Sequence, residues 1–593
     1  MISSLAHRGP DGEGLWQNET AHVLFGHRRL SVIDLSGTAA QPMSYIDRYT
    51  IVYNGEIYNY IELRAELEKK GYHFHTQSDT EVILAAYDFY ADECVEYFDG
   101  MFAFAIWDDR EKELFAARDR FGEKPFFYSC FDGNFIFGSE MKALWAVGVA
   151  RKANLKMLFN FITIGYTGNP SNPSETFFDN IHKLPAASRL YYTPSGSDVT
   201  IEKYWRIEPA AENKLITETQ AIEQFHDLFA NSVRNRFRSD VMIGTSLSGG
   251  LDSSSVVAFS DEIKAPRNSH KCFTAVFPGF EKDEREFSAR IAGHFNLQHF
   301  TTTMSATNLT DDLEKLMFHQ EEPFGSSSIY AQYKVFELAK QHGLKSLLDG
   351  QGADEILAGY PKYYKWYWQE LFNKRRLLRS KELKYARELG VREKFGFNNI
   401  IASLLPELAS VFLEHQYLLY ALQHEHLTRE FVQSQSKEAY YSSPSTPGLN
   451  GVLYFNTFTH GLEELLRYAD RNSMAHGCEV RLPFLDHKLV ELVFSLPSHF
   501  KIREGWTKWL LRKTTEKKLP AEIVWRKNKV GFEPPQQEWM QDKKIQEVIQ
   551  EAKKKLVTEK ILQPTALAKD IKPAPAYDTE NYDWRYLMAG LYL

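Results

Sequence analysis

The residues with the most definite chemistry are Ser248-Gly249-Gly250-Leu251-Asp252-Ser253-Ser254, which follow the apolar stretch Val241–Leu247. A strand running into paired glycines, and then into a helix that begins near Ser253, lets the backbone come close to an anion. It also leaves the N–H groups of the helix's first turn free to point at that anion. The helix dipole adds roughly half a positive charge at the same end. Serine hydroxyls supply further donors, whereas Asp252 would repel a bare phosphate. An acid in such a cradle makes sense if it holds Mg²⁺ that bridges to phosphate oxygens. The P-loop alternative requires Gly-Lys-Ser/Thr, and the chain has no Gly-Lys dipeptide.

A cradle of this kind needs a strand–turn–helix scaffold, and the second part of the chain supplies one. The short apolar segments VMIGTSLS, CFTAVF and SLLDG alternate with helical stretches, a pattern that predicts a parallel sheet covered by helices on both faces. Thr217 and Gln220 form a capping box, after which Ile222, Phe225, Phe229, Val233 and Phe237 recur at helical spacing. The domain boundary is placed just before them, giving units 1–205 and 206–593. The first unit reads as short β-branched and aromatic strands separated by Asp-Gly and Asn-Gly turns, with helices over Tyr60–Lys70 and Thr80–Tyr90: an α+β sandwich. Thr167–Asn180, dense in Pro, Gly, Asn and Ser, predicts a surface loop. The basic stretch Lys374–Lys394, with Leu377, Leu378 and Leu389 between its charges, predicts a solvated amphipathic helix.

The 593 residues are 43% hydrophobic and 25% charged, which excludes wholesale disorder and requires more than one core. A net charge of −8 argues against a nucleic-acid partner. Four scattered cysteines with no Cys-x-x-Cys exclude a disulfide scaffold and a zinc ribbon and fit a reducing compartment. No run of 18 uncharged apolar residues occurs, so a soluble, cytoplasmic protein without a membrane partner is expected.

SGGLDSS resembles the pyrophosphate loop of the adenylate-forming ATP pyrophosphatases, among them the asparagine, argininosuccinate, GMP and NAD synthetases. The resemblance implies cleavage of ATP between its α and β phosphates. HRGPDGEG (7–14), GHRRLSVIDLS (26–36), YNGEIYN (53–59), SDTEVIL (78–84), ARDRFGEKPFFY (117–128) and FGSEMKAL (137–144) are similar, in order and spacing, to the glutaminase domain of glutamine-hydrolysing asparagine synthetases. The implied fold is an Ntn-hydrolase-like glutaminase sandwich followed by an adenine nucleotide α-hydrolase-like ATP-pyrophosphatase domain. The implied glutamine site is Arg29, Leu30, Ser31, Asn54, Gly55, Glu56 and Asp79. There Arg29 would take the α-carboxylate, Glu56 and Asp79 the α-ammonium, and Asn54 with the Gly55 N–H would form the oxyanion hole. Taken alone, Asn54-Gly55 reads as a type I′ hairpin turn. The family nucleophile is an N-terminal cysteine on a strand opening Met-Cys-Gly. Here Met1-Ile2-Ser3-Ser4 precedes the first motif and neither serine is its equivalent. The chain as it stands is expected to use ammonia, with truncation the favoured explanation.

On the synthetase side the resemblance implies nucleotide contacts from Leu247, Ser248, Gly249, Gly250, Leu251, Asp252, Ser253, Ser254, Val276, Asp349 and Gly350. Asp252 and Asp354 would be the Mg²⁺ carboxylates, and Lys508 would act on the α-phosphate. Gln351 stands where well-known members carry a glutamate proposed as general base. An amide cannot take that proton, so pyrophosphate, water or Glu355 does, or the acceptor differs. Arg471, Glu479 and Arg481 are candidates for orienting the acceptor or for buttressing the site. The expected reaction amidates aspartate through an acyl-adenylate. Its partners are ATP, aspartate and glutamine or ammonia, and family members often form homodimers. The rivals are a paralogue acting on another carboxylate and a non-catalytic sensor.

Overall fold

The computed structural model describes the chain except residues 21, 195–198, 210, 264–269, 436–439 and 528–530. The first half contains β1 (Gly12–Gln17), β2 (Leu24–Arg29), β3 (Met43–Tyr45), β4 (Tyr49–Ile57), β5 (Gly100–Asp108), β6 (Glu113–Arg118), β7 (Phe127–Phe131), β8 (Asn134–Gly138), β9 (His182–Lys183), β10 (Ser188–Tyr192) and β11 (Val199–Lys203). Six of them form an antiparallel sheet in the order β11-β10-β6-β5-β4-β3; β1 pairs with β2, and β7 lies between β8 and β9.

Period-two alternation explains the layering. Ile51, Tyr53, Phe102, Phe104, Ile106 and Phe115 pack against Leu63, Leu67, Val82 and Ile83 of the helices Tyr60–Lys69 and Asp79–Tyr90. Val52, Ala103, Ala105, Trp107, Leu114 and Ala116 point the other way, onto Phe25, Phe126 and Tyr128 from the region of the smaller sheets. Both faces of the six-stranded sheet are therefore buried, and the α+β sandwich expected from the sequence is present.

The second half is built on β12 (Ile243–Ser246), β13 (Lys271–Val276), β14 (Gln298–Thr303), β15 (Ser346–Leu348) and β16 (Glu479–Arg481). All are parallel, in the order β14-β13-β12-β15-β16. From β12 the chain winds outward through β13 to β14 and then returns to the other side of β12 as β15. That reversal opens a crevice at the carboxyl ends of β12 and β15, where ligands bind in open parallel sheets. The capping box of Thr217 and Gln220 opens the helix Glu218–Arg236 as expected. Strands β14 and β16 were not among the expected elements. β14 is an edge strand with polar, partly exposed residues, and β16 is a charged tripeptide whose burial comes entirely from its neighbours.

Two expectations need correction. Thr167–Asn180 is irregular but not a surface loop: Phe177 and Phe178 lie in the main core, and the Phe177 N–H donates to Glu322 Oε1 at 3.1 Å. Its Pro and Gly content set the backbone irregularity, while the aromatic pair at its end drew it inward. Lys374–Lys394 is not one helix but two short ones, Leu377–Ser380 and Glu382–Glu388, broken at Lys381 with φ +59°. Among the described residues no helix is long and apolar enough to cross a membrane.

Candidate functional site

The helix Leu251–Asp261 begins directly after the glycine pair, with Gly250 as its N-cap. Gly249 adopts φ +79°, and a β-carbon there would stand 2.4 Å from the Ser288 nitrogen, so neither the conformation nor the space admits another residue. The Gly250 N–H and the Ser253 hydroxyl both bond to Ser248 Oγ, at 3.2 and 3.1 Å, which holds the turn closed on itself. Leu247 is buried and its N–H donates to the Phe273 carbonyl, extending the sheet to the edge of the turn. Leu251 flanks the first helical turn, and Ser254, fully buried, has a hydroxyl without a partner. Val276 ends the neighbouring strand β13 and is also buried.

The loop after β15 closes the other side of the crevice. A β-carbon on Gly350 would lie 2.9 Å from the Ser253 nitrogen, so the two loops meet backbone to backbone. Burial lifts the Asp349 carboxyl to about 6 against the N–H groups of Gly350 and Gln351, and Asp252 pushes the same way as burial. Lys508, in left-handed backbone conformation and almost wholly buried, joins the two sides. Its Nζ lies 2.6 and 2.5 Å from the Asp252 carboxylate oxygens and 2.5 Å from Asp354 Oδ1. Burial disfavours its charge, but Asp252 and Asp354 outweigh burial and hold its pKa above the ordinary lysine value.

The Asp252 and Asp354 carboxylates are hard oxygen donors of the kind that Mg²⁺ takes alongside phosphate and water, and Lys508 Nζ, which now contacts both, would have to give way to the ion. Among the described residues no group of three or more His, Cys, Asp or Glu could form an all-protein metal cage. Asp252 and Asp354 would hold the ion, which when bound would neutralise charge on the departing phosphates.

The second site is a cavity of about 900 Å³ in the first domain, lined by Arg29, Leu30, Asn54, Gly55, Glu56 and Asp79. Ser31 does not line it; its N–H donates to Asp11 Oδ2 instead. The Asn54-Gly55 pair is not a hairpin turn, because it lies inside β4 opposite Ala103 and Phe102. Gly55 has φ +144°, and a β-carbon on it would press to 2.0 Å from the Met101 carbonyl, so the pair marks a distorted strand. Arg29 is anchored through the Ser36 carbonyl at 2.7 Å and the Asp34 carbonyl. Asp79 Oδ2 accepts from the Tyr53 hydroxyl and the Ile57 N–H, both at 2.9 Å. None of the four cysteines lines the cavity.

Glu479 and Arg481 form a buried ion pair at 2.6 Å, the buttressing alternative rather than the acceptor-orienting one. They do not face the nucleotide crevice; Glu479 lines the cavity of the first domain, and Arg481 Nη2 lies 3.7 Å from Glu56 Oε1. The Arg481 carbonyl meanwhile accepts the Asp349 N–H at 3.1 Å, so one residue links both sites. Burial, with Glu479 and Asp79 nearby, pushes the Glu56 carboxyl well up, and its Oε2 is buried without a partner. Glu56→Gln removes a buried acid that burial disfavours, so the fold is expected to persist, and on the glutamine-pocket reading proposed below glutamine affinity falls about 10- to 100-fold. Calorimetric titration with glutamine checks this; unchanged affinity would remove Glu56 from the pocket.

Arg471 is a buttress: it lies 3.0 Å from Glu140 and 2.7 Å from Glu321, both fully buried. Arg8, Glu140, Lys124 and Asp470, from four separate stretches of the chain, complete this network between the domains. Gly359 escaped the sequence reading. A β-carbon on it would collide with Asp354 Oδ1 and approach Lys508 Cε to 2.3 Å. Its only signal was a third glycine in DGQGADEILAG. Gln351 Oε1 is buried without a partner, and Glu355 is held by the Tyr360 hydroxyl at 2.6 Å.

Comparison with known proteins covers both sites. Residues 224–591 match the asparagine synthase family model, and residues 1–205 match that of the glutamine amidotransferase domain. Asparagine synthetase [glutamine-hydrolyzing] 1 of Bacillus subtilis (strain 168) is 32% identical over 566 residues, 93% of this chain and 86% of that protein. Asparagine synthetase [glutamine-hydrolyzing] 3 of the same organism is 32% identical over 556 residues, 89% of this chain and 82% of its own length. Amidase chry2 of Gibberella zeae is 26% identical over 597 residues, covering 93% and 87%.

Proposed function

The chain belongs to the asparagine synthetase family, and from that premise we propose that it is an AMP-forming ligase that amidates aspartate. The observation that carries this reading is the Asp252–Lys508–Asp354 bridge across a glycine-lined helix N-terminus. An oxygen of the aspartate side-chain carboxylate attacks the α-phosphorus of ATP, the α–β anhydride breaks, and pyrophosphate leaves. Ammonia then attacks the acyl carbon and AMP leaves. The helix N–H groups and the Ser248 and Ser253 hydroxyls bind the outgoing pyrophosphate, and the Lys508 ammonium offsets charge growing on the α-phosphoryl oxygens. The amide of Gln351 cannot accept the ammonia proton and Glu355 is tied to Tyr360, so pyrophosphate or water receives it.

Arg29, Asn54, Gly55, Glu56 and Asp79 support the reading of the first cavity as a glutamine pocket. None of the four cysteines lines that cavity, so residues 1–593 supply no thiol nucleophile for glutamine, and ammonia is the donor to test with them. Purified chain given Mg·ATP, aspartate and ammonium should release AMP, pyrophosphate and asparagine in equal amounts, and far less when glutamine replaces ammonium. Release of ADP and orthophosphate would overturn the assignment. The unpartnered Gln351 oxygen favours one second reading, a different carboxylate acceptor. A panel of carboxylic acids in the same assay separates the two, since aspartate-stimulated AMP release eliminates it.

A further inference from the structure

The helix Pro406–Leu422 buries one of its 17 residues, Ala421, although its only carboxylates are Glu407 and Glu414. Its inner side is held by the Tyr417–Tyr441 stack and by the Tyr420 hydroxyl bonded to that of Tyr582. Leu408, Val411, Phe412 and Leu419 recur at helical spacing on the exposed side, and the preceding helix Phe397–Leu404 extends the stripe. Exposures of 74% for Phe397, 64% for Leu404 and Leu408 and 68% for Phe412 make it a continuous apolar surface. Patches of this kind mark docking sites in soluble proteins.

The charge beside the stripe selects the partner. Residues 374–394 contain nine Lys or Arg against three Glu, a net of +6 in a chain of net −8. Among the described residues Arg375, Arg376, Arg392 and Lys394 are exposed and form no ion pair. The Phe372 and Phe395 rings lie 5.8 Å apart, so the run Lys374-Arg375-Arg376 sits beside Lys394 and Phe397, at one end of the stripe. An apolar helix face next to unneutralised basic residues is the combination that binds an anionic bilayer surface: apolar side chains enter the headgroup boundary and cations meet the lipid phosphates. A second copy of the chain on this face would bring two such basic segments to one interface.

We propose that the hairpin 397–422 and the basic segment 374–394 form a peripheral docking surface for an anionic lipid bilayer. The expectation of no membrane partner rested on the absence of a spanning run, and a helix lying in the interface needs none. The proposal is independent of the acceptor and of the nitrogen source, because neither segment lines the 900 Å³ cavity or supplies a residue assigned to the crevice.

Flotation of the full chain with vesicles of phosphatidylcholine containing about 30% phosphatidylglycerol tests it. Binding is expected about tenfold above that on pure phosphatidylcholine, reversed by high salt, and reduced to the phosphatidylcholine level in Leu408→Glu/Phe412→Glu and in Arg375→Gln/Arg376→Gln. AMP release by these variants should match the parent, which reports an intact fold. Equal or absent binding on the two vesicle types overturns the proposal. So does a dimer in light scattering that Leu408→Glu/Phe412→Glu converts to monomer without vesicle binding, which would assign the face to a second copy.

Discussion

Lys508→Met is expected to lower AMP formation about 10³-fold while the sheet and crevice remain in place. The ammonium is the cation that the structure positions between the Asp252 and Asp354 carboxylates, within 2.6 Å of both. It stays charged at any working pH, because the two carboxylates outweigh the cost of burying it. Removing one preorganised charge that faces a developing negative charge costs about 10²- to 10³-fold. The variant also leaves the Asp252 and Asp354 carboxylates facing each other without the ammonium between them, which places the loss at the upper end. Methionine keeps the stem packed, so the loss reports the charge. Pyrophosphate release in the presence of ammonium measures it, with nucleotide binding followed separately. Activity within tenfold of the parent would remove Lys508 from the reaction.

Arg8→Met should give a large loss of stability. Arg8 reaches Asp470 through two bonds of 2.8 and 2.9 Å and Glu140 through one of 2.9 Å, and all three side chains are at most 5% exposed. Breaking a buried ion pair by removing one partner costs about 3–5 kcal/mol, because the remaining charge cannot be resolvated. A fall in Tm on the order of 10 °C follows for the transition that includes the domain interface. Burial pushes the Glu140 carboxyl up, but Arg471, Lys142, a hydrogen bond from His7 and Arg8 bring it well below the ordinary range. Asp470 is likewise lowered against burial, chiefly by Arg8 and Lys124. Carboxyls depressed in the folded state stabilise it above their unfolded pKa of about 4, and that contribution is lost as pH falls through the folded values. The Tm gap between parent and variant should therefore be wide at pH 7 and should narrow below pH 4 (about the carboxylate range). A gap that does not change with pH would mean that Arg8 acts by packing alone.

Much of the site could be read locally. The Ser248–Ser254 cradle, the capping box at Thr217 and the alternation in β4, β5 and β6 are each specified by residues adjacent in the chain. Where chemistry depends on a turn, a cap or a two-residue period, neighbours carry the signal. Asn54-Gly55 shows the limit: the same dipeptide that makes a hairpin turn in isolation sits inside a strand here, because β5 pairs across it.

The sequence by itself determined the two kinds of domain, the glycine-lined helix start and the identity of the charged side chains available to it. Only the tertiary structure decided that Lys508 meets Asp252 across 256 positions, that Arg481 reaches back to Glu56 while its carbonyl holds Asp349, and that Arg8, Glu140, Lys124 and Asp470 share one buried network. Partners so far apart in the chain are set by strand order and by the packing of one domain on the other. The free energy of their charges depends on the burial that packing creates, and no local spacing encodes it.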